Sequence, residues 1–189
     1  GSKIENSDIQ GIYDVGMVFN ADSYPAFGLQ TMGEKAIAAT QPDGNMSLDL
    51  KIEQVKQYPT KDGEVTEILL KDKVYPFEIK QYYKAYQGTD IISTWIEIMN
   101  NGKKSVTLYR FVSAYLPVQR GDNWLTHFHG HWGAENMLEE EKLTNGQKAI
   151  SNKDGMVNTE TDNPSFMLSI DGKPQEEYGH IPVSYTHLR

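Results

Sequence analysis

Cysteine is absent from the 189 residues, so disulfides and thiolate metal sites are excluded. Basic charge is scarce: 18 Lys and Arg stand against 26 Asp and Glu, a formal net charge of −8. That balance argues against a nucleic-acid partner, which needs clustered cations, and against an anionic membrane surface. No stretch approaches the ~20 apolar residues of a membrane span. No signal peptide is recognisable, but the chain opens Gly-Ser-Lys, and Gly1–Ser2 reads as a cloning scar that leaves a removed leader open. Localisation therefore stays open between the cytoplasm and a periplasmic or secreted compartment. The phosphate-binding G-x-x-x-x-G-K-[ST] loop, the dinucleotide fingerprint G-x-G-x-x-G and the hydrolase elbow G-x-S-x-G are all missing.

Aromatics are plentiful, with 11 Tyr, 6 Phe and 3 Trp, and aromatic residues favour strands. Period two dominates. "EVTEILLKD" (64–72) reads as a strand. In "YPFEIKQYYKAYQ" (75–87), Phe77, Ile79, Gln81 and Tyr83 oppose Glu78, Lys80, Tyr82 and Lys84. "DIISTWIEIMN" (90–100) and "KSVTLYRFVSAYLPV" (104–118) alternate in the same way. "QGTD" (87–90) and "NNGK" (100–103) are turn sequences, so the last three segments should form an antiparallel meander. Further turns fall at "QPDGN", "TKDG", "TNGQ", "NKDG" and "SIDGK", at a spacing typical of a β-sandwich. Helix is scarce. The best candidate is "GAENMLEEEKL" (133–143), for which a surface turn or linker serves equally well. The expected fold is all-β: a large antiparallel β-sandwich with little helix, in one domain without an internal linker.

"WLTHFHGHWG" (124–133) holds the densest chemistry. On a strand, His127, His129 and His131 share one side, while Phe128 and Trp132 share the other. A His-x-His pair on a strand can hold one zinc if a third ligand joins it. The plainer expectation is a core strand with Phe128 and Trp132 buried and the imidazoles facing water. Trp132→Ala should then cost the ~3–5 kcal/mol of a large buried aromatic, and His127→Ala or His129→Ala much less. Most of the acidic residues sit in turns, such as Asp43, Asp62 and Asp154, or in the run Glu139, Glu140, Glu141, and that run reads as a solvated face.

Several segments, in order, resemble the N-terminal domain of glycoside hydrolase family 36, the bacterial alpha-galactosidases. "SYPAFG" (23–28) with "KAIAATQPDGNMSLDL" (35–50) is similar to the family's Tyr-Pro-x-x-Gly segment, strand, Pro-Asp-Gly turn and following strand. Residues 90–118 resemble its strand–turn–strand hairpin. Residues 125–168 resemble a stretch marked here by Gly130, Trp132, Glu135, Gly146, Ser151, Gly155, Asn163 and Pro164. The resemblance spans roughly residues 23 to 179, and its specificity lies in the order of the motifs. It implies a large supersandwich-like domain that precedes a (β/α)8 barrel in the whole enzyme. One departure is Met32, Gly33 and Glu34, where the family often carries an Arg-containing segment, so contacts made there do not carry over.

The family's two catalytic aspartates lie in that barrel, and a retaining glycosidase needs two carboxylates ~5–5.5 Å apart. Neither has a counterpart here. The resemblance thus implies a non-catalytic domain that buttresses the barrel, shapes the mouth of the active site and carries subunit contacts. In relatives it can approach a neighbouring subunit's active site. The implied partners are a galactoside in the whole enzyme, the barrel itself and a homo-oligomer. No cofactor and no metal are expected. Trp132, His129, His131 and Glu135 are the candidate substrate-binding residues, with no catalytic residue. The domain is expected over residues 3–180. Residues 181–189, "IPVSYTHLR", read as adaptor or vector sequence. Besides a purely structural or adhesive surface domain, two other classes remain open. One is a stand-alone carbohydrate-binding module using an exposed aromatic such as Trp124 or Trp95. The other is a zinc hydrolase built on His127, His129 and His131.

Overall fold

A computed structural model describes residues 24–28, 34–115, 121–144, 148–151, 165–170 and 172–175, and the backbone of 183–185. Its described residues contain ten strands and no helix. Every pairing between these strands is antiparallel. The chain forms two compact units, Gly1–Pro117 and Val118–Arg189.

The first unit is an antiparallel sandwich. One layer is the sheet β2(Leu50–Thr60)–β3(Gly63–Asp72)–β4(Phe77–Tyr86)–β5(Ile92–Asn100). The other pairs β1(Ile37–Thr40) with β6(Thr107–Phe111). Alternation decides what lies between them. Phe77 and Ile79 of β4 are fully buried, Leu70 of β3 lies beside them, and Ile37 and Ala39 of β1 face them from the second layer. Ile96, Ile98, Val106 and Val112 pack around this core. The opposite face of β4 is polar: Lys80 pairs with Glu67 at 3.7 Å and Lys84 with Asp62 at 2.6 Å. Tyr82 is buried on that same outer face because Trp95, directly opposite on β5, stacks on it at 4.9 Å.

The segment 24–28 stitches the two layers together. The carbonyl of Pro25 accepts from the amide of Ala36, and the carbonyl of Phe27 accepts from Leu48. The buried Tyr24 hydroxyl donates to the carbonyl of Val112 at 2.8 Å, just beyond β6. Gly28 ends the segment at φ +105°, and a Cβ there would meet Ser47 at 2.7 Å. Only glycine meets both demands without strain. The Tyr-Pro-x-x-Gly pattern is thus a core plug with its own hydrogen bonds.

The strands expected at 64–72, 75–87 and 90–100 are present as β3, β4 and β5. The turn at 87–90 joins β4 to β5, with Gly88 at φ +72°. The expected meander of the last three segments is corrected. β5 pairs with β4, but β6 crosses to the other layer and pairs with β1. The cause lies at "NNGK". The Asn100 side chain accepts from the Gly102 amide and donates to the Lys104 carbonyl, folding the loop on itself. The meander is instead β2–β3–β4–β5, opened by a two-residue turn at Lys61–Asp62.

The second unit is one sheet in the order β10(Val183–Tyr185)–β9(Ser165–Ser169)–β7(Trp124–His131)–β8(Ala134–Lys142). The helix candidate at 133–143 is corrected: it is strand β8, paired along its length with β7. Its acidic run is held by cations. Glu140 binds Lys173 at 3.1 Å, and Glu141 binds Lys148. Of the turn sequences, "TNGQ" and "NKDG" lie largely outside the described residues.

Burial pushes the Tyr24 hydroxyl up to about 12, against which its bond to Val112 works only partly. Tyr82 is raised too, by burial and by its hydrogen bond to Glu97. The folded state therefore keeps protons that the unfolded chain releases near pH ~10. That stabilisation is whole below about pH 10 and is lost as pH rises toward the native value. We expect the melting temperature to fall between about pH 10 and pH 12. Tyr24→Phe should lower stability by about 1–2 kcal/mol at neutral pH, for the orphaned buried carbonyl. It should also flatten the alkaline fall, both read by calorimetry.

Candidate functional site

The stretch 124–133 forms β7 and its turn into β8. β7 is an inner strand, hydrogen-bonded to β8 on one side and β9 on the other. Leu125, Thr126 and His127 are buried, and Phe128 is half-buried. The pairing His131↔Ala134 leaves Trp132 and Gly133 as a two-residue turn. Gly133 takes φ +80°, the sign a type II turn demands at its second central position.

This turn overturns the expectation for Trp132. Its side chain is 84% exposed, at the tip of the hairpin, and belongs to no core. The expected split of the strand also fails, because His127 is buried while Trp132 is not. A bulge contributes. The register passes from His129↔Met137 to His131↔Ala134, three steps on β8 against two on β7. Asn136 absorbs the extra step at φ +54°, a conformation asparagine tolerates.

Of the four candidate substrate-binding residues, His131, Trp132 and Glu135 are exposed together at this tip. Nδ1 of His131 lies 3.0 Å from the Trp132 carbonyl. His129 is set back along β7, half-buried, and turned to a different neighbour. Nδ1 of His129 lies 3.4 Å from a Glu139 carboxylate oxygen, and Nε2 of His127 lies 3.8 Å from that same oxygen. His127, His129 and Glu139 thus form a group that sequence spacing missed. The missing signal was cross-strand register: His127 sits directly opposite Glu139.

The other two tryptophans differ from Trp132. Trp124 is half-buried and carries the Lys173 ammonium 5.6 Å above its ring. Trp95 is stacked on Tyr82. A shallow cavity of about 350 Å³ opens at the β2–β3 end, lined by Pro59, Gly63, Glu64, Ala85, Tyr86 and Gln87.

Residues 9–184 match the glycosyl hydrolase family 36 N-terminal domain, and the chain belongs to that family. Alpha-galactosidase AgaA of Geobacillus stearothermophilus is 24% identical over 173 residues, which is 84% of this chain and 24% of the relative. The bifunctional alpha-galactosidase/sucrose kinase AgaSK of Mediterraneibacter gnavus is 26% identical over 112 residues, 59% of this chain and 12% of that protein. Among solved structures, a substituted AgaA in complex with stachyose superposes with a TM-score of 0.77 at 24% identity, covering 84% of this chain and 24% of that one. AgaB from the same organism gives 0.73 at 24% identity, covering 78% and 22%. The chain therefore spans at most about a quarter of the length of the relatives it matches.

The exposed Trp132 sets a contrast with the core. We expect Trp132→Ala to change stability by less than about 0.5 kcal/mol, as for a surface site. Phe77→Ala, at a residue 1% exposed, should cost about 3–5 kcal/mol. Urea denaturation of both variants checks the pair.

Proposed function

We propose that this chain is a non-catalytic domain of an alpha-galactosidase-like glycoside hydrolase. It supports the catalytic barrel, shapes the mouth of a galactoside-binding site and carries subunit contacts. The observation that carries the reading is the match to the family's N-terminal domain, over about a quarter of the relatives' length. Three exposed aspartates are in keeping with it. Asp43, Asp49 and Asp62 are each held below the usual carboxylate range, by hydrogen bonds from Asn45 and Tyr75, from Lys73 and Lys51, and from Lys84 respectively. A glycosidase acid needs the opposite displacement. Trp132, His131 and Glu135 at the hairpin tip are the side chains offered to the mouth of the site.

The subunit role has its own support on β2, an edge strand. Ile52 and Val55 are both more than half exposed there. Such side chains mark surfaces that a partner covers. A second reading, a stand-alone carbohydrate-binding module, is favoured by the exposure of Trp132, since an indole face suits the apolar face of a sugar.

The 189-residue chain should show no turnover of p-nitrophenyl alpha-galactoside, and saturable turnover would overturn the reading. In sedimentation it should self-associate, and Ile52→Lys with Val55→Lys should return it to monomers. Titration with galactose, melibiose and raffinose by calorimetry separates the readings. Binding tighter than about millimolar, a standard free energy beyond roughly −4 kcal/mol, would favour the module.

A further inference from the structure

We propose that His127, His129 and Glu139 form a binding site for a divalent first-row transition ion, with zinc the natural probe. This departs from the expectation that the stretch binds no metal, and it uses a different third ligand from His131.

Three observations converge. First, one ligand atom from each residue lies within 4.8 Å of the other two. In a tetrahedral zinc site with bonds of about 2.0–2.2 Å, neighbouring ligand atoms stand roughly 3.3–3.5 Å apart. The 3.4 and 3.8 Å separations to Glu139 fit that frame with small side-chain shifts. Both are too long for good direct hydrogen bonds. A carboxylate and an imidazole so spaced suit a cation between them.

Second, Glu139 alone in its run has no lysine partner among the described residues. Glu140 has Lys173 and Glu141 has Lys148. The ion pairs of Glu139 among the described residues are with the two imidazoles only. A neutral imidazole offers no charge to offset a carboxylate. A divalent ion offsets it and uses the lone pair of each ring.

Third, the ligands are built in. His127 is 9% exposed and lies on an inner strand, so its ring is oriented before any ion arrives. Nδ1 of His129, the nitrogen that faces Glu139, is buried and has no hydrogen-bond partner among the described residues. Two histidines and one carboxylate suit zinc, cobalt, nickel or iron rather than calcium or magnesium. Three protein ligands leave a fourth position for water. The ion would tie β7 to β8 below the turn that carries Trp132.

The test uses the full chain, purified without a nickel column and stripped with chelator. Zinc titrated by calorimetry should bind at one equivalent and raise the melting temperature. Glu139→Gln and His129→Gln, both at half-exposed positions that tolerate change, should weaken binding by roughly tenfold or more, since even outer-shell changes cost that much. His131→Gln should leave binding unchanged. Cobalt should give the visible bands of a tetrahedral site in the wild type and lose them in Glu139→Gln. The proposal falls if zinc does not saturate near one equivalent, if Glu139→Gln binds like the wild type, or if His131→Gln removes binding. A plain His–Glu ion pair would show a melting temperature that responds to pH but not to zinc, and that result also overturns it.

Discussion

The side-chain period of a strand is two, so one extra residue moves everything beyond it to the other face. That constraint governs this chain at three β-bulges among the described residues. On β2 the register passes from Ile52↔Leu70 to Gln54↔Leu69, so Glu53 is extra. On β6 it passes from Ala38↔Arg110 to Ala39↔Leu108, so Tyr109 is extra. On β8 the extra step falls between Ala134 and Met137, at Asn136. Each bulge resets which residues the core receives. Each stands where a strand leaves the regular ladder: an edge, a crossing to the second layer, and a hairpin tip.

The same constraint explains what the sequence could reveal. β3, β4 and β5 run without a bulge between themselves, and their alternation located them. β2 escaped notice because its apolar residues on the core side, Leu50, Ile52 and Val55, are spaced two and then three apart. β8 escaped because its composition is acidic and its own apolar pair, Met137 and Leu138, is adjacent in sequence. Acidic residues weaken a strand signal, yet here neighbouring lysines offset them. The crossing of β6 was illegible because Asn-Gly turn chemistry does not say which sheet the next strand joins.

At the histidine stretch, period two correctly placed His127 and His129 on one side of β7, and failed beyond them. The failure is geometric. A two-residue turn ends pairing at His131, so Trp132 has no neighbour strand to pack against. Burial of a large aromatic needs partners on both sides of its strand, and a turn residue has none. Glu139 could not be found by spacing within β7, because it is ten residues on from His129 and meets it only through the return of the hairpin. Turn length was the missing quantity. The order of the family motifs fixed the class of domain, yet said nothing about this local group.

Two of the outer strands of the described sheets, β8 and β2, handle their edges differently, and the difference bears on function. β8 shields its edge with charge, through Glu135, Glu139, Glu140 and Lys142. β2 carries Lys51, Lys56 and Pro59, and proline removes a ladder donor, so free strand addition is discouraged there as well. Yet β2 also exposes Ile52 and Val55 on the side where the core of the sheet begins. A strand protected against edge pairing but not against face contact is suited to one specific neighbour. Its backbone resists indiscriminate growth, while its apolar side chains reward a surface shaped to cover them. The proposed contact with a catalytic domain or a second subunit would use such a surface.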